Sequence, residues 1–325
     1  MWFKTLLFLS LFAVLYFVPY FIELSPVWFL VNQFFVGVFM ILSALNIGHD
    51  AMHNAFSKND KVNYAMGLIF NLSGSNSYVW KMMHDIHHRY PNIHGYDNDI
   101  SHQNIIRMSP YEKKFWFHRY QHIYVFVIAL FTSFDYVFYK DYANFYTRKI
   151  GNVELPKHKL REHIILFASK AIHFTVFLVL PFLYFQQSIL LILAGWVLLH
   201  VAGGYLLYFI FTPAHLVNDV DFCSPGENAN IDNSWSEHQM YTTCNYGSTP
   251  FMNFFFGGLN HQIEHHLFPG ICHIHYPKIS KIVRATAKEF DLPYWEFSSF
   301  RETLGKNLEF LYKMGHQPEL KPSTS

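Results

Sequence analysis

The chain has 325 residues, of which 51% are hydrophobic, only 14% are charged and 35 are Phe. So apolar and charge-poor a composition points to a membrane protein, with room for one large domain or two ordinary ones. A net charge of +1, without a basic cluster, a Gly-rich phosphate loop or a Ser-His-Asp signature, gives no ground for a nucleic-acid partner. Cys223, Cys244 and Cys272 lack C-x-x-C spacing, so they predict reduced thiols, not a disulfide framework or a thiolate zinc site.

Thr5–Ile22 is the first apolar run, and Glu23-Leu24-Ser25-Pro26 breaks it. Val27–Leu45 is the second, with Asn32, Gln33 and Ser43 as its polar side chains. Each approaches the ~20 residues needed to cross a bilayer, and the short gap reads as a hairpin. A cleaved signal peptide is the rival reading of the first run. It is opposed by a basic region consisting of Lys4 alone and by the lack of a small-residue cleavage site before Glu23. His49 and His53, in H-D-A-M-H, follow on a possible continuation of the second helix.

The mixed region that follows holds His84, His87 and His88 in H-D-I-H-H. Ile123–Tyr139 is 17 residues long, mostly apolar, and contains Asp135, which suits either a span or a helix lying along the interface; the charge pattern selects the interface. Lys140–Arg161 carries six Lys or Arg. Ile164–Phe185 and Ser188–Phe211 are the third and fourth expected spans, joined at Gln186-Gln187, and His215 lies just beyond them.

Charge sets the expected orientation. Cytoplasmic loops collect Lys and Arg, and neither hairpin loop contains one. Four spans with both termini inside satisfy this and place every histidine box on the cytosolic side. A crossing at Ile123–Tyr139 would put the third box opposite the first two. Pro277 is expected to open a helix with Ile279, Ile282, Val283 and Phe290 on its apolar face. Ser299-Phe300-Arg301-Glu302 matches a capping box for a second helix, through Leu304, Leu308 and Leu311. Residues from Gly315 to Ser325 read as a disordered tail. The whole chain is expected to form a single domain, 1–325.

Gly257–Pro269 reads G-G-L-N-H-Q-I-E-H-H-L-F-P. Gln262, His265 and His266 fall at i, i+3 and i+4, the spacing of one helix face. His84, His87 and His88 repeat that spacing, and His49 and His53 lie one turn apart. Seven imidazoles exceed the four ligands of a tetrahedral zinc site. They suit two metals with higher coordination and open positions, and imidazole alone does not choose among iron, copper, nickel and zinc. Metal-bound histidine usually donates its other N–H to a carboxylate or carbonyl. Asp50, Asp85 and Glu264, each embedded in a box, are candidates for that role, with solvated surface carboxylates as the alternative.

The three boxes in this order resemble those of the membrane fatty-acid desaturase family. The third is most similar to the front-end members, which carry Gln in place of the first His. N-A-F-S-K-N after the first box, S-N-S-Y-V-W before the second, Y-P-N-I-H-G-Y-D-N-D after it and G-G-L-N before the third agree. The resemblance covers most of residues 40–295. It implies an all-α integral membrane protein in which four transmembrane helices carry a cytosolic helical cap with a histidine-rich di-iron site. The implied activity uses O2 and external electrons to introduce a C=C bond into a fatty acyl chain. His215, in T-P-A-H-L, stands where the family has a further histidine, and Gln262 stands at the family's Gln.

His261 departs from the aromatic residue common in front-end members and competes with Gln262 for a metal. His238 is read as structural, and His273 and His275 as surface residues. His173 and His200 fall inside spans. His200 is about 22 Å along a continuous helix from His215, too far to share its metal, and is expected to hydrogen-bond within the bundle. Trp80 and Asn260 are candidates to shape the acyl channel, with core packing equally open for Trp80. The substrate is expected to be an acyl-CoA or acyl-lipid. Because the chain begins on a span, a separate carrier of ferredoxin or cytochrome-b type is expected to deliver electrons. A bacterial inner membrane is expected in preference to the endoplasmic reticulum. The rival functions are a membrane di-iron hydroxylase or ketolase, a metal transporter, and a zinc-stabilised membrane protein. Transport predicts ligands near the bilayer midplane, whereas the boxes lie outside the expected spans.

Overall fold

The computed structural model describes residues 1–100, 104–225, 231 and 233–320. The helices that organise them are, in chain order, α1 (Trp2–Phe21), α2 (Pro26–Met52), α3 (Ser77–Arg89), α4 (Trp116–Thr147), α5 (Leu160–Tyr184), α6 (Ile189–Ala214), α7 (Trp235–Thr242), α8 (Gln262–Leu267), α9 (Tyr276–Glu289) and α10 (Phe300–His316). Sheet among the described residues is limited to two short ladders. Lys149–Ile150 pairs antiparallel with Val153–Glu154, and Asn245–Tyr246 pairs parallel with Glu296–Phe297.

Among the described residues five helices, α1, α2, α4, α5 and α6, are long and apolar enough to cross a membrane. α4 corrects the expected short helix at 123–139, because it runs for 32 residues. Lys140 and Asp141 interrupt the apolar run in the sequence. In the fold Asp141 is buried and paired with Lys170 at 2.6 Å, so the helix passes through them. α2, α4 and α5 each contain one π-helical turn, at Ala44–Gly48, Tyr136–Lys140 and Thr175–Val179. The first of these carries α2 past its apolar stretch to His49.

The chain divides into two compact units. The first comprises Met1–Trp80, Val127–Tyr146 and Lys157–Tyr208. Its helices pack as membrane helices do, through small residues as well as large ones. A side chain at Gly37 would run into the Leu199 carbonyl, so α2 and α6 approach backbone to backbone there.

The second unit comprises Lys81–Phe126, Thr147–Pro156 and Phe209–Ser325. Its core holds Val217, Cys244, Tyr246 and Phe297, with a second cluster of Met240, Ile263, Val283 and Ala287 under α9. α9 begins one residue before Pro277, close to expectation, and of its expected apolar face Ile279 and Val283 pack inward while Ile282 and Phe290 do not. Tyr276, Ser280, Val283 and Ala287 point inward, a regular 3.6-residue stripe, while Ile282 and Phe290 are 68% and 70% exposed. α10 is capped by Ser299, whose side chain accepts from the Glu302 amide. The Glu302 carboxylate turns back to Ser298 and not to the capping residue. α10 runs two residues into the expected tail. The buried Arg107 guanidinium fixes that end by donating to the carbonyls of Met314, Gln317 and Pro318. The rest of the expected tail, residues 321–325, lies outside the described residues.

Candidate metal centre

α3 carries His84, His87 and His88, and the six-residue α8 carries Gln262, His265 and His266. The shared i, i+3, i+4 spacing turns each trio to one side of its helix. With His215, just past α6, these side chains belong to the second unit. All six imidazoles are at most 7% exposed.

They form two adjoining nests. In one, His88 Nε2 lies 3.1 Å from His84 Nε2 and 2.8 Å from His265 Nε2. In the other, His87, His215 and His266 each present a ring nitrogen within 4.8 Å of the others. The Gln262 amide stands 3.0 Å from His215 Nε2. His88 forms the common wall, its ring stacked on His266 at 4.3 Å between centroids.

The rings are held from behind. His87 Nδ1 donates to Asp97 Oδ2 at 3.0 Å, His266 Nδ1 to Gln239 Oε1 at 2.8 Å, and His215 Nδ1 to the Thr242 carbonyl at 3.3 Å. His265 Nδ1 is 3.4 Å from the Tyr276 hydroxyl. A neutral imidazole has one N–H, so donation from Nδ1 leaves Nε2 a lone pair facing the nest, the form that binds metal. Burial pushes His215 and His266 well below the usual imidazole range, with neighbouring histidines adding to it, so both are neutral. Asn92 ties the backbone together, donating to the carbonyls of His215, Asp221 and Thr242.

These donors fit a transition-metal ion. Three Nδ1-protonated rings have no hydrogen to share among their inward nitrogens. His266 Nε2 and Gln262 Oε1 are buried with no hydrogen-bond partner among the described residues. Converging lone pairs in a dry site are stabilised by a cation between them, and imidazole suits borderline transition metals.

The remaining candidates divide. His49 and His53 belong to the first unit, with ring centroids 4.9 Å apart. His49 is buried at 5.7 Å from Trp80, which stacks on Phe70 at 4.2 Å. Asp50 is buried in the same turn. Asp85, a candidate either for the place behind an imidazole or for a solvated surface carboxylate, makes an exposed ion pair with Lys81 at 3.0 Å. Glu264 also backs no nest ring. It accepts from Asn245 Nδ2 at 2.7 Å and from the Tyr294 hydroxyl at 2.9 Å. His261 turns away to Asn253 Oδ1 at 3.0 Å, and Asn260 donates to the same oxygen at 2.7 Å. His238 bonds the Pro91 carbonyl at 2.8 Å. His273, expected at the surface, is buried, whereas His275 is exposed.

Sequence reasoning missed Asp97, Gln239 and Tyr276. Asp97 lies in the Y-D-N-D stretch after the second box and Gln239 in W-S-E-H-Q, so the text around the boxes held the signal.

The chain matches the fatty acid desaturase family model over residues 23–298. The chain belongs to the fatty acid desaturase family. It is an oxidoreductase that introduces a double bond into a fatty acyl chain. It is 34% identical over 301 residues to the sn-1 linoleoyl-lipid 6-desaturase of Synechocystis sp., covering 91% of this chain and 84% of that protein. It is 35% identical to the protein of the same description from Arthrospira platensis, covering 85% of this chain and 75% of that one. It is 34% identical to the acyl-lipid (8-3)-desaturase of Physcomitrium patens, covering 96% of this chain and spanning 66% of the length of that relative. The two histidine nests are where the desaturase gathers side chains that could hold a metal ion.

Proposed function

We propose that this desaturase forms its double bond towards the carboxyl end of a lipid-bound acyl chain, using a pair of iron ions held by the histidine boxes. The observation that carries the reading is the pair of buried nests sharing His88, with His87, His215 and His266 braced so that a lone pair faces inward. His84, His88 and His265 would serve one ion, and His87, His215 and His266, with Gln262 beside them, the other. His49 and His53 of the first box are proposed as further ligands. Gln262 in place of histidine, and relatives named as acyl-lipid desaturases, support the front-end assignment and the lipid carrier. His261 hydrogen-bonds elsewhere, which leaves Gln262 as the donor of that pair.

Bound iron would supply the chemistry: O2, two electrons and two protons are consumed as two hydrogens leave adjacent carbons and two waters form. The chain's part is to hold and exclude. Asp97, Gln239 and the Thr242 carbonyl keep the inward nitrogens unprotonated, and burial keeps water from the rings. The electrons come from a separate ferredoxin- or cytochrome-b-type carrier. We place α1, α2, α5 and α6 across the bilayer and α4 along its inner face. The termini and the nests then lie in the cytosol of a bacterial inner membrane, which the Lys and Arg distribution supports.

The test is expression in a host of known fatty-acid content, with mass spectrometry of its lipids and metal analysis of purified protein. Wild-type protein is expected to carry iron and to yield a new unsaturated species near the carboxyl end. His265→Ala is expected to insert normally and yield none. An iron-free protein that remains active, or a hydroxylated product, would overturn the reading.

A further inference from the structure

The first unit contains a set of buried polar residues that the nests do not use. Lys170, Asp141, Asn76, Ser169, His173 and His200 are all at most 3% exposed. Such groups within apolar helices are costly and usually have a specific task. Here they converge on one short turn, Leu72–Asn76, which leads into α3.

Three backbone groups of this turn are bound by them. His173 Nδ1 donates to the Leu72 carbonyl at 2.9 Å, and Lys170 Nζ to the Gly74 carbonyl at 2.6 Å. Asp141 Oδ2 accepts from the Asn76 amide at 2.6 Å, and Asn76 Nδ2 donates to Ser169 Oγ at 3.2 Å. Gly74 has φ +86°, and a Cβ there would meet Val137 and the His173 ring, so the turn is pressed against the side chains that bind it. The π-helical turn at Tyr136–Lys140 leaves the Tyr136 carbonyl to accept from Lys170 Nζ at 2.8 Å.

Asn76 is the residue at which α3 starts. Its Oδ1 accepts from the Val79 amide at 3.0 Å, and its carbonyl accepts the Trp80 amide at 2.9 Å, the geometry of an N-cap. Asp141 therefore places a carboxylate at the positive end of the helix that carries His84, His87 and His88. Lys170 balances that carboxylate and holds the preceding turn.

We propose that Asp141 and Lys170 are positioning residues for the desaturation reaction: they pin the start of α3 and so set the depth and rotation of the second-box imidazoles. The functional part of this proposal rests on the metal reading above. A buried ion pair adds little net stability over an apolar pair, so what it contributes here is placement.

Two double variants isolate the contact. Asp141→Asn/Lys170→Met removes both charges but keeps an acceptor for the Asn76 amide. Asp141→Ala/Lys170→Met removes the acceptor as well. Hydrogen exchange of purified protein is expected to show amides 76–81 about tenfold less protected in the Ala variant than in the Asn variant, the scale of one lost hydrogen bond. Turnover per bound iron is expected to fall roughly tenfold or more in the Ala variant with KM for the acyl substrate unchanged, as small misplacements do, and to recover in the Asn variant. Equal protection in the two variants, or reduced protection with unchanged turnover per iron, would overturn the proposal. Wild-type protein that binds no iron, together with the exchange contrast between the two variants, would sink the metal reading and leave the pinning of α3 supported.

Discussion

Two groups of buried histidines make the instructive contrast: the nests of the second unit and the His173–His200 pair of the first. In both, imidazole nitrogens approach closely, His173 and His200 through their Nε2 atoms at 3.1 Å. The difference is in the hydrogen count. His173 donates from Nδ1 to the Leu72 carbonyl and can accept from His200 Nε2–H, while His200 Nδ1 accepts from the Ser133 hydroxyl at 2.9 Å. Each neutral ring there has a donor and an acceptor in use. In the nest of His87, His215 and His266 the single hydrogen of each ring is committed outward and the lone pairs are left facing one another. A closed chain of hydrogen bonds marks a structural histidine, and a surplus of inward lone pairs marks a ligand.

Substituting Asp97 tests the nest side most strongly. Asp97→Asn is expected to weaken iron binding by roughly 10–100-fold, the usual effect of losing a carboxylate behind a ligand histidine. Titration of metal-stripped protein measures it, and unchanged affinity would remove Asp97 from the centre. On the other side, His200→Leu leaves His173 Nε2 and the Ser133 hydroxyl without their partner. The expected cost is about 1–3 kcal/mol, read as a lower unfolding midpoint in detergent, with iron content unchanged. Loss of iron in that variant would erase the distinction between the two groups. The smallest effect belongs to Asp85→Ala. Its pair with Lys81 is exposed and one helical turn long, so stability should move by about 0.5 kcal/mol or less, and the product profile should stay the same.

Asp85 also shows where the sequence was legible and where it was not. Helical spacing was enough to align His84, His87 and His88, because one turn fixes which side chains share a face. It could not find the acceptors behind them. Asp85 adjoins His84 in sequence, but successive helical residues point about 100° apart, whereas Asp97 returns from a loop ten residues beyond His87. Glu264 was misread for the same reason and faces Asn245 and Tyr294. On α9 the apolar letters Ile282 and Val283 are adjacent, and the packing under Met240 and Ile263 selected Val283 alone. Each of the four expected spans lies on one long apolar helix, α1, α2, α5 or α6, whose ends differ from it by one to seven residues. α4 was cut short because the burial of Asp141 depends on Lys170 in another helix.

The π-helical turns at Ala44–Gly48, Tyr136–Lys140 and Thr175–Val179 change how this chain should be aligned. Each holds one residue more than a regular turn, which shifts the phase of everything downstream by about 100°. A comparison that threads these segments onto uniform helices without a gap would leave His49 and Asp141 facing the wrong way while every letter still matched.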